Sequence, residues 1–358
     1  GSTMMSQINA PNVNYVQIDS LVVMKIVKHV DSELYAGMSE IAGEACQGLL
    51  TGLVAVEDGR LEITNCFPTA RAEPTLDSDE GANQASQQHE EIKQAEMIDM
   101  LRKFRNMNID YELVGFYQAH PFGACFNQEM AESLFDYQSS VNDGVVLIYD
   151  PVKTRQGQLS FSAFRLSMPA LQLFHKGDWT PESVKAAGIT YENMFEELPV
   201  VIKNSHLVNV MVAELALSPA LRTNEKLGGA HLELGTKRSL EKCIRSMMIN
   251  IDEMNKSIQA FSKYQLDKQK HDANVNAQMQ KREIENEGRR ARGEPALSMD
   301  DIRKMKGPVL GTRNGMLDAL LTSLDAQSLC DFATKVTGEN VAKLFLAEGL
   351  AEMKSSKA

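Results

Sequence analysis

The sequence predicts an α/β or α+β domain with a central mixed sheet flanked by helices, followed by an α-helical C-terminal region. Two observations lead to this fold class. In the first half, short apolar segments typical of strands alternate with segments typical of helices. In the second half, apolar residues recur at helical spacing and aromatic residues become scarce. We therefore expect the sheet domain at residues 12–180 and helices beyond it.

The first predicted elements are a strand, a helix and a β-hairpin. Residues 16–30 contain strand-like apolar side chains and lead into a helix at 29–35. Residues 47–56 are apolar, as in a buried strand, and run into an Asp-Gly turn at 58–59. Apolar and polar residues then alternate over 61–66. This order predicts a β-hairpin.

Further segments complete the predicted domain. A polar stretch is expected to form a surface loop, and amphipathic or apolar runs predict two helices and three strands. In chain order these are the loop 69–88, the helix 87–107, the strand 113–117, the helix 129–137 and the strands 145–149 and 159–166.

The C-terminal region, expected to begin with a helical extension at 181–265, contains a heptad seam. A first helix is predicted at 205–217, ending at Ser218-Pro219. Beyond it, apolar residues recur in alternating steps of four and three, the pattern of a coiled coil. They are Leu240, Ile244, Met247, Ile251, Met254, Ile258 and Phe261. Exposing all seven would forgo on the order of 10–20 kcal/mol, so we expect the seam to pack against helices of this chain or of another subunit.

Polar residues end this seam and predict a charged connector at residues 266–310. Lys, Gln, Asn, Glu and Arg dominate it, which is typical of a solvated or disordered segment. The alternative is an RNA-contacting segment around Lys281-Arg282 and Arg289-Arg290, which the interleaved acidic residues weaken. Helical patterning resumes in residues 311–358.

Length, net charge and hydropathy indicate to which broad class of protein the chain belongs. The 358 residues allow two domains, and the net charge of −11 argues against broad electrostatic binding of nucleic acid. No run of eighteen apolar residues and no signal-peptide pattern occurs, so we expect a cytoplasmic protein that does not cross a membrane. Residues 1–11 are interpreted as an expression-tag scar (Gly1-Ser2-Thr3) and a disordered N-terminus.

The cysteines point to a reducing compartment. Five are present, scattered and without a C-x-x-C spacing, which argues against a disulfide framework and against a structural zinc. They are Cys46, Cys66, Cys125, Cys243 and Cys330.

The candidate site follows the strand at 113–117. Gly115-Phe116-Tyr117-Gln118-Ala119-His120-Pro121 places a His-Pro where zinc hydrolases often present a ligand. A catalytic zinc needs three protein ligands and a water. His120 supplies one imidazole, and the neutral amide of Gln118 is a poor zinc ligand.

This strand, motif, loop and helix resemble the MPN domain family, also called JAB or JAMM. Active members carry His-Ser-His-Pro, then a Ser and an Asp, with an upstream Glu as general base. The resemblance places the two His ligands at Gln118 and His120, the motif Ser at Gln128 and the Asp ligand at Ala131. It therefore implies a degenerate metal site, no catalysis and no cofactor.

The general-base position is less clear. The alignment puts Ala45 there, with Glu44 one residue out of register. His120 is interpreted as a packed or hydrogen-bonded imidazole at a strand end rather than as a metal ligand.

Residues 61–68 and 195–207 resemble the H-subunit family of eukaryotic translation initiation factor 3, a likeness that extends from about residue 14 to the C-terminus. It implies a scaffold subunit that supports 43S pre-initiation complex assembly. Its C-terminal helices would join a bundle with PCI subunits and with the F subunit, which is the second MPN protein of that factor. Contact with the 40S ribosome and mRNA would be only indirect. The retained His-Pro departs from the degenerate site that the resemblance implies.

Two other functions remain open at this point. One is an inactive MPN subunit of the proteasome lid or the COP9 signalosome. The other is an active zinc isopeptidase, favoured only by the Gln118-Ala119-His120-Pro121 motif on this scaffold.

Overall fold

The computed structural model describes most of the chain. The described residues are 11–35, 46–69, 82–141, 143–155, 159–204, 210, 237–311 and 315–355. Three sequence predictions fall outside them: the disordered N-terminus, most of the loop at 69–88, and the helix at 205–217 apart from residue 210. Positions 44 and 45, considered for the general base, are also outside.

Eight strands and nine helices are described. The strands are β1 Tyr15–Asp19, β2 Gln47–Ala55, β3 Arg60–Pro68, β4 Leu113–Ala119, β5 Val145–Tyr149, β6 Phe161–Leu166, β7 Phe195–Leu198 and β8 Val200–Lys203. The helices are α1 Ser20–Tyr35, α2 Ala82–Asn106, α3 Gln128–Ser140, α4 Pro151–Arg155, α5 Met168–Lys176, α6 Pro181–Ala187, α7 Lys237–Ala291, α8 Asp300–Arg303 and α9 Leu317–Ser355.

The eight strands form one mixed sheet in the order β7-β6-β5-β4-β2-β3-β1-β8. The pair β2–β3 is antiparallel, whereas β4–β5, β1–β3 and β1–β8 are parallel. Gly59, with φ of 62°, makes the turn between β2 and β3, which confirms the predicted β-hairpin. The predicted fold class is confirmed.

Both faces of the sheet are covered. Every residue of β5 is buried, and successive side chains point to opposite faces. Val145 and Leu147 join the core beneath α1, while Val146 and Ile148 join the core beneath α3 and α5. This double burial explains why β5 reads as an uninterrupted apolar run.

The expectation of helix throughout 181–265 is wrong for residues 195–203. These residues form β7 and β8, which are the two edges of the sheet. Val200, Val201 and Ile202 are β-branched and favour a strand, and β8 pairs with β1 from Val16 to Asp19. The run is too short for a helical period to be distinguished from a strand period.

The charged connector expected at 266–310 is helical in its first part, residues 266–291. Helix α7 continues without a break to Ala291 and contains 55 residues, about 80 Å of helix. The chain then turns at Gly293 and runs back along α7. Asn286 binds both backbone groups of Leu297, accepting from its N–H at 2.7 Å and donating to its carbonyl at 3.1 Å. Leu310, in the returning segment, is buried.

Helices α7 and α9 form an antiparallel pair, called here the helical hairpin. The Cys243 thiol lies 3.5 Å from the carbonyl of Leu329, and the Asn250 amide donates to the carbonyl of Thr322 at 3.1 Å. Within the described part of the chain, no helix is long and apolar enough to cross a membrane.

Candidate functional site

The end of β4 places His120 against Gln118. Nε2 of His120 lies 2.8 Å from Oε1 of Gln118, whose amide in turn donates to Gln47 at 3.3 Å. Because an amide oxygen can only accept, Nε2 of His120 carries the proton and donates it. The backbone N–H of His120 donates to the carbonyl of Tyr149 at 3.0 Å, which ties the residue to β5.

Burial lowers the pKa of His120 to about 4, so its ring is neutral at pH 7. The lone pair of the neutral ring lies on Nδ1, because Nε2 donates to Gln118. The imidazole therefore acts here as a hydrogen-bond donor at the end of the strand.

The other two motif positions lie on α3. Gln128 is its first residue and donates to Oε1 of Glu132 at 2.6 Å. Ala131 is fully buried and packs in the main apolar core with Met130 and Leu134. Ala131 therefore contributes a methyl group, and no donor atom, to this part of the core.

The described residues contain no group of three or more His, Cys, Asp or Glu side chains that could hold a metal ion. The four side chains considered for the motif, those of Gln118, His120, Gln128 and Ala131, are two amides, one imidazole and one methyl group, which has no donor atom.

The C-terminal helices pack on the segment that follows His120. Residues 121–123 form a 3₁₀ turn. The backbone of Phe122 has φ of 63° there, a left-handed conformation that costs free energy for residues other than glycine. Phe122 is buried, and its ring centroid lies 4.7 Å from that of Phe332 on α9. Cys243 of α7 and Leu329 of α9 complete this group, called here the Phe122 cluster.

Two further contacts fix α9 on the sheet domain. The backbone N–H of Met316 donates to the carbonyl of Trp179 at 2.9 Å, and Asp325 accepts from the backbone N–H of Phe126 at 2.9 Å. The first leucines of α9 belong to the same core as β5 and α3; they are Leu317, Leu320 and Leu321. The start of α9 is therefore part of the sheet domain's core.

Helix α7 is anchored separately at its middle. The Tyr264 hydroxyl donates to the carboxylate of Glu182 on α6 at 3.1 Å, and Lys268 forms an ion pair with the same carboxylate. The sequence pattern did not predict this contact, because Glu182 and Lys268 are 86 residues apart in the chain.

The predicted heptad stripe is divided between two environments. Met247 packs on the Phe122 cluster, and Met254 and Phe261 line a groove that also contains Leu310 and Met316. Ile244, Ile251 and Ile258 are 47%, 51% and 60% exposed, although Ile258 also lines the edge of that groove. We call these three residues the isoleucine row. Leu240 is half-buried.

The buried line on α7 shares Met247, Met254 and Phe261 with the predicted stripe and departs from it between them. Cys243, Asn250 and Tyr264 are its buried members, seven and fourteen residues apart. Sequence reasoning missed them because two of the three are polar or weakly apolar. The same 4–3 spacing, counted from Cys243 instead of Leu240, is the signal that could have found them.

Comparisons with known proteins cover the whole chain. Residues 11–142 match the family model of the JAB1/Mov34/MPN/PAD-1 ubiquitin protease, and residues 154–356 match the model of the C-terminal region of eIF3h. The chain is 62% identical to the H subunit of eukaryotic translation initiation factor 3 from Brugia malayi, over 99% of this chain and 97% of the relative. The same protein of Caenorhabditis elegans is 60% identical, over 97% and 94%. That of Xenopus laevis is 38% identical, over 95% and 94%.

Proposed function

Because the chain belongs to the H-subunit family of eukaryotic translation initiation factor 3, we propose that it is a non-catalytic scaffold subunit of that factor. Its MPN domain and its C-terminal helices supply the assembly surfaces. Through them it supports assembly of the 43S pre-initiation complex in the cytoplasm.

The observation that carries this proposal is the second apolar face of α7. One face packs on α9 and on the sheet domain, and the isoleucine row leaves a neighbouring face exposed at heptad spacing. Fully burying one isoleucine side chain is worth about 1.5–3 kcal/mol. A helix with two apolar seams is typical of a bundle of three or more helices.

The last third of α9 supports the same proposal. Three of its exposed apolar residues are consecutive, at 344–346, so together with the others they point to several sides of the helix rather than to one stripe. They are Val341, Leu344, Phe345, Leu346, Leu350 and Met353, with 45–70% of each residue exposed. A helix that is apolar on several sides fits the interior of a bundle, where more than one partner helix covers it.

The partners follow from the family. Membership in the H-subunit family implies the other subunits of initiation factor 3 as partners. We propose that the PCI subunits and the F subunit, the second MPN protein of the factor, supply the bundle's other helices. We also propose that contact with the 40S ribosome and mRNA is indirect. The proteasome lid and the COP9 signalosome are disfavoured by the initiation-factor relatives along the full chain.

The isoleucine row provides the test of this scaffold role. We expect Ile251→Asp with Ile258→Asp to release the chain from the factor, because two carboxylates would be buried in the helix contact. Affinity purification of the tagged full chain, followed by mass spectrometry, measures the retained subunits. The two side chains are already more than half exposed, so the thermal midpoint of the MPN domain should change by only a few degrees.

A matched control uses Gln269→Asp with Gln280→Asp, which adds the same charge at exposed positions of α7. It should leave assembly intact. Retention of all partners by the isoleucine variant would contradict the proposed role of the row.

Our proposal that the chain is not an enzyme rests on the side chains at the positions that would have to bind zinc. His120 uses its Nε2 proton on Gln118, and Ala131 has no donor atom. We expect elemental analysis of the purified full chain to give well under one zinc per chain. One tightly held zinc per chain would instead favour a zinc isopeptidase, since the matching family model is that of a ubiquitin protease.

A further inference from the structure

Two cysteines of the helical hairpin, Cys243 on α7 and Cys330 on α9, lie close together. Sγ of Cys243 is 3.5 Å from the carbonyl oxygen of Leu329, the residue that precedes Cys330. That oxygen and the next Cα atom are about 3 Å apart across a trans peptide, so Cα of Cys330 lies within about 6.5 Å of the Cys243 sulfur. In a disulfide the corresponding atoms are about 3–4.5 Å apart, so a displacement of about 2 Å is enough for a bond.

The two thiols differ in their access to solvent. Cys243 is fully buried in the Phe122 cluster, whereas Cys330 is exposed, one position beyond the buried Leu329. Burial, with a smaller contribution from Cys330, raises the pKa of the Cys243 thiol to about 11. Because the thiolate is the reactive form and Cys243 is shielded, an oxidant in solution reacts first with Cys330.

We propose that Cys330 and Cys243 are a redox-sensitive pair that forms a reversible disulfide between α9 and α7 when the chain meets a disulfide oxidant such as oxidised glutathione. The bond cross-links the helical hairpin at the Phe122 cluster, where the helical hairpin packs on the MPN domain. Transient, redox-sensing disulfides are the kind that reducing compartments allow. The cross-link does not depend on which subunits bind the helical hairpin.

The exchange takes place in two steps that together move two electrons. The Cys330 thiolate attacks one sulfur of oxidised glutathione; a mixed disulfide forms, and one glutathione leaves as a thiolate that takes up a proton. The Cys243 thiol then gives its proton to solvent, and its sulfur attacks Sγ of Cys330 and expels the second glutathione. The two cysteines are oxidised to a disulfide, and oxidised glutathione is reduced to two thiols.

Mass spectrometry of the oxidised full chain tests this proposal. The reduced chain is incubated with oxidised glutathione, the remaining thiols are alkylated, and the chain is digested with trypsin without reductant. We expect a cross-linked species of peptides 243–245 and 314–335, with a mass two hydrogens below the sum of the two thiol peptides. Dithiothreitol should convert it back to the separate peptides.

Hydrogen exchange measures the effect of the bond on the helical hairpin. Backbone amides at 326–336 on α9 should exchange on the order of tenfold more slowly in the oxidised chain, because the cross-link restricts the separation of the two helices. A cross-linked chain whose exchange is unchanged would contradict the proposed effect on the helical hairpin.

Cys330→Ser replaces an exposed side chain, so the variant should fold. It should form no cross-link, and its exchange should not respond to the oxidant. The matched control is Cys46→Ser, which removes a thiol beside β2 in the sheet domain and should keep the cross-link. Glutathione retained on Cys330 without a cross-link, or a bond from Cys330 to any cysteine other than Cys243, would overturn the proposal.

Discussion

Ala131→Asp, which places a carboxylate at the position proposed for the motif's acidic ligand, is expected to lower the free energy of unfolding by about 3–5 kcal/mol at pH 7. Ala131 is fully buried among Met130 and Leu134, and the new carboxylate would have no charged partner in that apolar core. Protonation removes the charge, so the loss should shrink as the pH falls. Urea unfolding at pH 7 and pH 5 measures both effects.

Gln128→Asp is the charge-matched control for this variant. Gln128 is the first residue of α3, where a carboxylate is favoured by the helix dipole and remains close to solvent. We expect its stability to change by no more than about 0.5 kcal/mol. An Ala131→Asp chain as stable as the control would show that the core at α3 admits a carboxylate, contrary to this prediction.

The second large effect is expected at Phe122. Replacing this buried ring by alanine removes its packing on Phe332 and Leu329 and should destabilise the contact of the helical hairpin by about 3–5 kcal/mol. Phe122→Gly removes the same ring but also accepts the positive φ without strain, so it should be less damaging than alanine by roughly 1 kcal/mol. Denaturant unfolding monitored together with proteolysis of the helical hairpin measures both variants.

Phe345→Ala provides the comparison at an exposed aromatic residue on α9. Phe345 is 70% exposed in the isolated chain, so its removal should change stability by no more than about 0.5 kcal/mol. If Phe122→Ala and Phe345→Ala behaved alike, the Phe122 cluster would not hold the helical hairpin on the domain.

The sheet domain was largely predictable because its signals are local. The Asp-Gly pair at 58–59 predicts a tight turn from its own backbone preferences, and the run at 145–149 predicts a strand buried on both faces. The motif spacing likewise led to the proposal that Gln118, His120 and Ala131 stand at the metal-site positions. Each of these inferences depends on residues close together in the chain.

The edge strands and the length of α7 were not predictable in the same way. Four-residue strands such as β7 and β8 are too short to show a period, and their pairing with distant strands decides their conformation. The polar half of α7 remains helical, and the segment that folds back on it is held partly by hydrogen bonds such as those of Asn286. No pattern of helical or strand spacing encodes that side-chain contact.

Residue order alone determined the fold class, the β-hairpin of the sheet and the presence of an apolar seam on α7. Tertiary packing decided which line of that seam faces inward, and it paired Phe122 with Phe332 and Phe126 with Asp325. Successive residues on a helix are about 100° apart, so neighbouring seams share the same 4–3 spacing and differ only in what lies opposite them. The face that meets α9 is buried, and the isoleucine row beside it is largely exposed.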